Sequence, residues 1–315
     1  MSQHLTAGIF GGLISTVLLY PLELVKTRMQ VIESTGGVMQ SQGYHSMYSA
    51  TRTVLAKEGA AGLYQGLTPA AIASAGSWGF YFLLYENSKK RKLRNCDNGT
   101  KLGTADHLLS GVEAGVVLVL AFNPLWLVKT RLALQGIDTT RGKPYNGLIQ
   151  TLKIIVKEEG FIGLYKGVVP ALFLTSHGAI QFASYEKLKE YSNSHYKATD
   201  SSAVPSWVPI ITGGISKIFA STVTYPYQVI KSRLQQRPNV EAPGSTNRDL
   251  RSMLHGNSKY SGFIDCIQKI WKLEGIRGYF RGVVPNALKV APSAALTFFT
   301  YEETLKLLQT NNLLN

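Results

Sequence analysis

The sequence predicts an all-α membrane protein of six transmembrane helices in three pseudo-threefold repeats, each with a short amphipathic helix at its edge. Three observations predict it. An eight-residue element recurs three times, with its prolines 103 and 102 residues apart. Six stretches of eighteen residues or more are nearly free of charge. Between the two stretches of each repeat lies a helical pattern too short and too polar to span. A repeat at so regular a period marks one body assembled from equivalent parts. The repeats are 1–100, 101–200 and 201–315.

The element first reads Pro21-Leu22-Glu23-Leu24-Val25-Lys26-Thr27-Arg28. Its second copy is Pro124-Leu125-Trp126-Leu127-Val128-Lys129-Thr130-Arg131, and its third is Pro226-Tyr227-Gln228-Val229-Ile230-Lys231-Ser232-Arg233. The charge-poor stretches are 5–22, 66–85, 107–128, 167–185, 201–230 and 282–301. At about 1.5 Å per residue each is long enough for a membrane-spanning helix. Glu113, His177, Lys217 and Lys289 are the ionisable groups inside them, apart from tyrosines and the edge residue His107.

After each element comes a polar loop, then Tyr44, Tyr145 or Tyr260. Fifteen residues further on stand Glu58-Gly59, Glu159-Gly160 and Glu274-Gly275. In the second repeat Leu148, Leu152, Ile155 and Val156 share a helical face. In the third Phe263, Ile267, Ile270 and Trp271 do. These segments read as amphipathic helices lying at the interface. Tyr64-Gln65-Gly66, Tyr165-Lys166-Gly167 and Phe280-Arg281-Gly282 then lead into the even-numbered spans. The third loop is longer, and its segment from Arg237 to Asn247 reads as disordered.

Composition bounds the function. The 315 residues are 45% hydrophobic and 17% charged, with a formal charge of +14. A basic excess suits nucleic acid, anionic lipid or an anionic small solute. Six uncharged stretches and no RNP or zinc-finger pattern argue against nucleic acid. No P-loop, HExxH or nucleophile elbow appears, so an enzyme is not expected. Nothing calls for a cofactor. Cys96 and Cys266 lie in different repeats and have no metal or redox spacing. The first residues read as neither a secretory signal nor an Arg-rich presequence, so the first apolar run is expected in the mature chain.

The proline removes a backbone hydrogen bond and is expected to kink the helix, turning its end toward a common axis. An acid and a base three residues apart share one helical face. Three such helices around an axis let each acid meet the base of the next. A surface pair contributes at most about 1 kcal/mol, whereas a desolvated pair that loses one partner costs ~3–5 kcal/mol.

The tripled element, with its Glu-Gly and aromatic-polar-Gly companions, resembles the mitochondrial carrier family over nearly the whole chain. That resemblance implies a six-helix barrel of alternating access, its repeats related by an axis along the membrane normal. The short helices would lie on the matrix side, and the membrane would be the mitochondrial inner membrane, with peroxisomal or plastid membranes as alternatives. It implies a monomer in a lipid bilayer, with cardiolipin among the lipids, and an anionic small-molecule substrate. The matrix gate would be Glu23, Lys26, Trp126, Lys129, Gln228 and Lys231, braced by Gln30 and Gln235; Ala133 holds the third brace position. Cyclic pairing would join Glu23 to Lys129, Gln228 to Lys26, and Trp126 to Lys231 as a cation–π contact. The cytoplasmic gate would be Glu86, Lys89, Glu186, Lys189 and Glu302; Leu305 stands where its third base belongs.

Small residues four apart favour close helix packing. Gly8 and Gly12 have this spacing, as do Gly111 and Gly115. In the third repeat Gly213 is followed by Lys217. An ionisable residue inside a membrane is a functional candidate, the alternative being a snorkelling lysine or a structural pair with Glu113. The resemblance places substrate contacts at Ala73, Leu174 with Thr175, and Lys289. Lys289 suits a carboxylate or phosphate. His177, Gln181, Ser77 and Ser293 lie further along the spans. Trp78 and Tyr81 offer faces for a flat ring, although packing is the commoner role of such residues.

Lys231-Ser232-Arg233-Leu234 lacks the arginine run of an adenine-nucleotide exchanger. Asn123-Pro124-Leu125-Trp126 resembles the folate/flavin and pyridine- or pyrimidine-nucleotide branch. Segments 77–82, 175–182 and 216–220 resemble the folate/FAD carriers in particular. The implied solute is folate or FAD, with NAD, a pyrimidine nucleotide or CoA as the alternative.

Overall fold

The computed structural model describes residues 2–32, 44, 46–94, 103–137, 145–195, 205, 207–237, 260–289, 292, 293, 296, 300, 303 and 304. Among them there are helices and turns and no strand. The first repeat holds α1 (Ser2–Val31), α2 (Met47–Gly62) and α3 (Leu67–Arg94). The second holds α4 (Thr104–Leu134), α5 (Gly147–Glu159), a 3₁₀ turn (Phe161–Tyr165), α6 (Val168–Phe173) and α7 (Ser176–His195). The third holds α8 (Trp207–Val223), α9 (Tyr225–Leu234) and α10 (Phe263–Gly278), followed by helical residues 283–289.

The motif proline behaves differently in the three copies. α1 and α4 continue through Pro21 and Pro124 as single helices. In the third repeat the span breaks at Thr224, and Pro226 sits in the first turn of α9. There its missing N–H costs nothing, because first-turn N–H groups have no intrahelical partner. A second break interrupts the even span of the second repeat at Leu174 and Thr175, between α6 and α7. The N–H groups of Thr175 and His177 bond three residues back, to Leu172 and Leu174, at 3.1 Å each.

The outer surface is apolar. Leu18, Ile72, Leu83, Leu109, Ile210 and Leu288 are each about half exposed or more. An outward face so rich in large hydrophobics suits lipid rather than water. By length and composition alone, Leu67–Arg94 and Leu109–Leu134 are long and apolar enough to cross a membrane, and Trp207–Val223 is a shorter apolar helix. The chain is an all-α membrane protein of six spanning helices.

Tightly packed clusters lie at the motif end, where each short helix docks. Val54 and Ala50 of α2 join Tyr20, Leu24 and Tyr44. Ile155 of α5 joins Leu127, Val128 and Tyr145. Ile270 and Cys266 of α10 join Ile230 and Tyr260. Two residues expected on the packed faces point outward instead: Val156 is 42% exposed and Trp271 is 63% exposed. Each follows a fully buried isoleucine, so it lies about 100° around the helix and faces the membrane interface. Cys96 and the long third loop beyond Arg237 lie outside the described residues.

Glycine is required at a kink or end of each short helix and again just before the following span. Gly59, Gly160 and Gly275 have φ of 71°, 73° and 62°, and Gly66, Gly167 and Gly282 have φ of 84°, 78° and 81°. Only glycine adopts this region at no steric cost. At Gly66 a Cβ would also lie 2.9 Å from the Lys129 carbonyl oxygen and 2.8 Å from the Tyr20 hydroxyl. Gly66→Ala is therefore expected to remove most folded protein from detergent extracts. Size-exclusion recovery at the wild-type level would contradict this.

At the described glycines of this spacing no helix backbone packs close, and only in the second repeat does a neighbour come near. A Cβ on Gly111 would meet the Tyr81 hydroxyl at 3.3 Å, and one on Gly115 would meet Thr175 Cγ2 at 3.3 Å. On Gly12 or Gly213 it would meet nothing within 4 Å. Side chains, not helix backbones, fill the space at Gly111 and Gly115. At Gly12 and Gly213 the space is open. Of Gly8 only the helical backbone is described.

Candidate functional site

The three copies of the element meet in a ring. Lys129 Nζ donates to Glu23 Oε1 at 2.8 Å, and Lys26 Nζ donates to Gln228 Oε1 at 2.9 Å. Lys231 Nζ lies 5.4 Å from the centre of the Trp126 ring, and Lys129 Nζ lies 5.1 Å from it. The contacts implied by cyclic pairing are all present, and Trp126 also serves a second lysine. Gln30 and Gln235 tie neighbouring helices beneath the ring. Gln30 Nε2 donates to the Tyr225 hydroxyl at 3.1 Å and its Oε1 accepts from Ser232 at 2.8 Å. Gln235 Oε1 accepts from Thr130 at 2.8 Å.

Trp126 supplies attraction without charge, so the ring is held less firmly than a fully ionic one. Trp126→Asp would place an anion beside Lys231 and Lys129. Slower turnover in proteoliposomes is the expected result, and faster turnover would count against the latch.

The last base of each element does something that sequence reasoning missed. Arg28, Arg131 and Arg233 are fully buried and make bidentate pairs with Glu58, Glu159 and Glu274. Each guanidinium also donates to Tyr44, Tyr145 or Tyr260 at 3.3–3.4 Å. Each Nε reaches into the next repeat: Arg28 to the Ala133 carbonyl, Arg131 to that of Gln235, and Arg233 to that of Gln30. A closed cycle of buried hydrogen bonds thus locks the motif end below the ring. Arg, Tyr and Glu stand in register in all three repeats, and that register was the available signal.

Lys289 departs from the expected pattern. Its ammonium pairs with Glu23 Oε2, so the ring's sole carboxylate serves two lysines. Lys289 lines a cavity of about 370 Å³ with Leu174, His177, Lys217, Gln228 and Ser293. His177 Nδ1 lies 3.1 Å from the Thr224 hydroxyl, at the break between α8 and α9. Lys217 is half-buried and has no ion pair among the described residues. Glu113 does not pair with it; that carboxylate takes the Ser88 hydroxyl at 2.6 Å and the Arg91 guanidinium.

A second cavity, of about 680 Å³, lies between α3, α4 and α7 and is walled by Tyr81, Tyr85, Trp126, Thr175 and Phe182. Leu174 lines both cavities as well as the ring's own space. Ala73 is fully buried and lines none of the three. Gln181 is half-buried and also lines none of them. The Trp78 side chain lies outside the described residues.

At the opposite end Glu86 and Lys89 pair with each other along α3 at 3.8 Å. Neither they nor Glu186 and Lys189 make an ion pair between helices among the described residues. Among the described residues, the one contact these gate residues make lies within a single helix. Glu302 and its neighbours Tyr301, Leu305 and Lys306 lie outside the described residues. The ends differ: one is latched by the ring, and at the other the described charge contact between helices is Arg91 with Glu113.

A helical membrane body with a pseudo-threefold latch beneath a charged central cavity defines a solute carrier. The family described as mitochondrial carrier protein matches residues 1–95, 100–196 and 202–312. The chain belongs to the mitochondrial carrier family. It is similar to the chloroplastic folate transporter 1 of Arabidopsis thaliana, 41% identical over 98% of this chain and 96% of that one. It is 36% identical to the mitochondrial nicotinamide adenine dinucleotide transporter 2 of the same plant, over 95% of this chain and 78% of that one. Mitochondrial nicotinamide adenine dinucleotide transporter 1 of Saccharomyces cerevisiae is 29% identical over 96% of this chain and 76% of its own length.

Proposed function

We propose that this carrier moves folate across an organelle membrane by alternating access. The observation that carries the reading is the central cavity, where Lys217 and Lys289 stand beside the latch with His177. Two cations at membrane depth call for an anion. Folate brings two carboxylates and a flat heterocycle. The 41% identity to a protein named folate transporter supports the same solute.

A substrate carboxylate that takes Lys289 removes one of the two lysines holding Glu23. The ring then keeps Glu23–Lys129, the Lys26–Gln228 hydrogen bond and the Trp126 contacts. Binding energy spent in this way weakens the closed state, and a ligand shifts a conformational equilibrium only through such a difference. No chemical step is involved. The carrier works as a monomer in a lipid bilayer that includes cardiolipin. Its membrane is the mitochondrial inner membrane, and relatives named chloroplastic support a plastid as the alternative.

NAD is the second reading, favoured by the similarity to NAD transporters, and its pyrophosphate suits the same lysines. FAD and CoA share that chemistry. A ligand that binds the folded state raises the melting temperature. Purified protein should therefore melt highest with folate in a panel of folate, FAD, FMN, NAD and CoA at equal concentration. A larger shift with NAD and none with folate would overturn the folate reading.

A further inference from the structure

We propose that the cavity between α3, α4 and α7 is a separate subsite for the solute's planar, amino-bearing heterocycle, while the lysine cavity takes its anionic end. The inference rests on the folate reading and deepens it, the heterocycle being folate's pterin ring. At about 680 Å³ the space lies within the usual range for a small-molecule site. Its wall is aromatic. Tyr81 and Tyr85 stack with centroids 6.3 Å apart and planes 12° from parallel. The Tyr85 hydroxyl lies 2.9 Å from His107 Nδ1, which holds that ring in place. Flat heterocycles gain from offset stacking on such faces.

A polar atom in the same wall lacks a partner. Asn123 is 1% exposed and lines this cavity. Its Nδ2 donates to the Leu164 carbonyl at 2.8 Å, which fixes the amide, and its Oδ1 is buried with no hydrogen bond.

The repeats show why the cavity exists on this side. The residue before the motif proline is Tyr20 in the first copy and Tyr225 in the third, each donating to a carbonyl of its own repeat, at Gln65 and Arg281. In the second copy the shorter Asn123 makes the equivalent tie. Two departures from the repeat, Asn123 and Trp126, therefore line one space. Leu174 and Lys231 connect this space to the ring, and Leu174 also lines the lysine cavity. One extended molecule can occupy both lobes, its ring in one and its carboxylates in the other.

Gly178 provides the test, because it lines the aromatic cavity and a Cβ there would meet nothing within 4 Å. Gly178→Leu fills the ring's place. Calorimetry on purified protein would compare folate with p-aminobenzoyl-glutamate, its tail without the ring. Folate affinity should fall at least about tenfold while tail affinity stays within about twofold, and Tyr81→Leu should show the same pattern more weakly. If Gly178→Leu does not fold, Tyr81→Leu decides. If both ligands weaken together, or folate is unchanged in the folded variants, the subsite is wrong and the folate reading survives. If the wild type binds the tail but not folate, or neither, the folate reading fails and the subsite fails with it.

Discussion

Lys289→Ala lowers folate uptake into proteoliposomes by about a hundredfold and leaves the fold intact. That loss corresponds to the ~3 kcal/mol expected when a desolvated charge loses its partner. The physical reason lies in the double role of the ammonium. It faces the central cavity and also holds Glu23, the one carboxylate in the ring. Removing it deprives the substrate of a cation and uncouples substrate arrival from the latch. Glu23 keeps Lys129 at 2.8 Å, so the closed end should survive and the melting temperature should change little. Uptake within about twofold of wild type would remove Lys289 from both roles.

Arg28→Ala destabilises the protein by about 3–5 kcal/mol, the cost of stranding a buried carboxylate. The three arginines are not equal. Glu159 also pairs with Lys166 at 2.7 Å, and Glu274 has Arg281 at 3.7 Å. In the first repeat Gln65 occupies that place and brings no charge. Arg28→Ala should therefore lower the melting temperature more than Arg131→Ala does. Equal losses would show that Lys166 contributes nothing. Burial alone would push the Glu159 carboxyl up, but Arg131 and Lys166 hold it below the usual range. A lowered folded-state pKa gives stability that is full above the unfolded value and is lost as pH falls through the folded one. In Arg131→Ala the burial that remains pushes that carboxyl up, so the variant's stability deficit against the wild type should shrink as pH falls through the carboxylate range.

The fold and the latch were legible because they repeat. Three copies of one element at one spacing mark the repeats, and the contacts Glu23–Lys129, Lys26–Gln228 and Lys231–Trp126 are those that the family resemblance implied. Repeat logic gives no access to contacts that break symmetry. Lys289 reaches Glu23 across 266 residues because only one repeat supplies a lysine at that height and only one supplies an acid in the ring. Ala73 and Leu174 occupy equivalent places in sequence, yet Ala73 is packed away while Leu174 sits at a helix break where three spaces meet. At the far end Glu86 pairs with Lys89 along one helix, a contact within a repeat that pairing logic between repeats does not address. The arginine clusters were readable in principle. Their carboxylates were seen as companions of glycine, and the glycine's turn is what brings each short helix back so that its glutamate reaches the arginine.

Transport of folate through the cavity above the latch is the step on which the proposed function rests. Labelled folate and labelled NAD, counted inside liposomes holding the purified chain, test it directly. The account predicts saturable folate uptake that excess unlabelled folate suppresses and excess NAD suppresses weakly. Folate uptake no faster than into empty liposomes, with saturable entry of NAD, would contradict it.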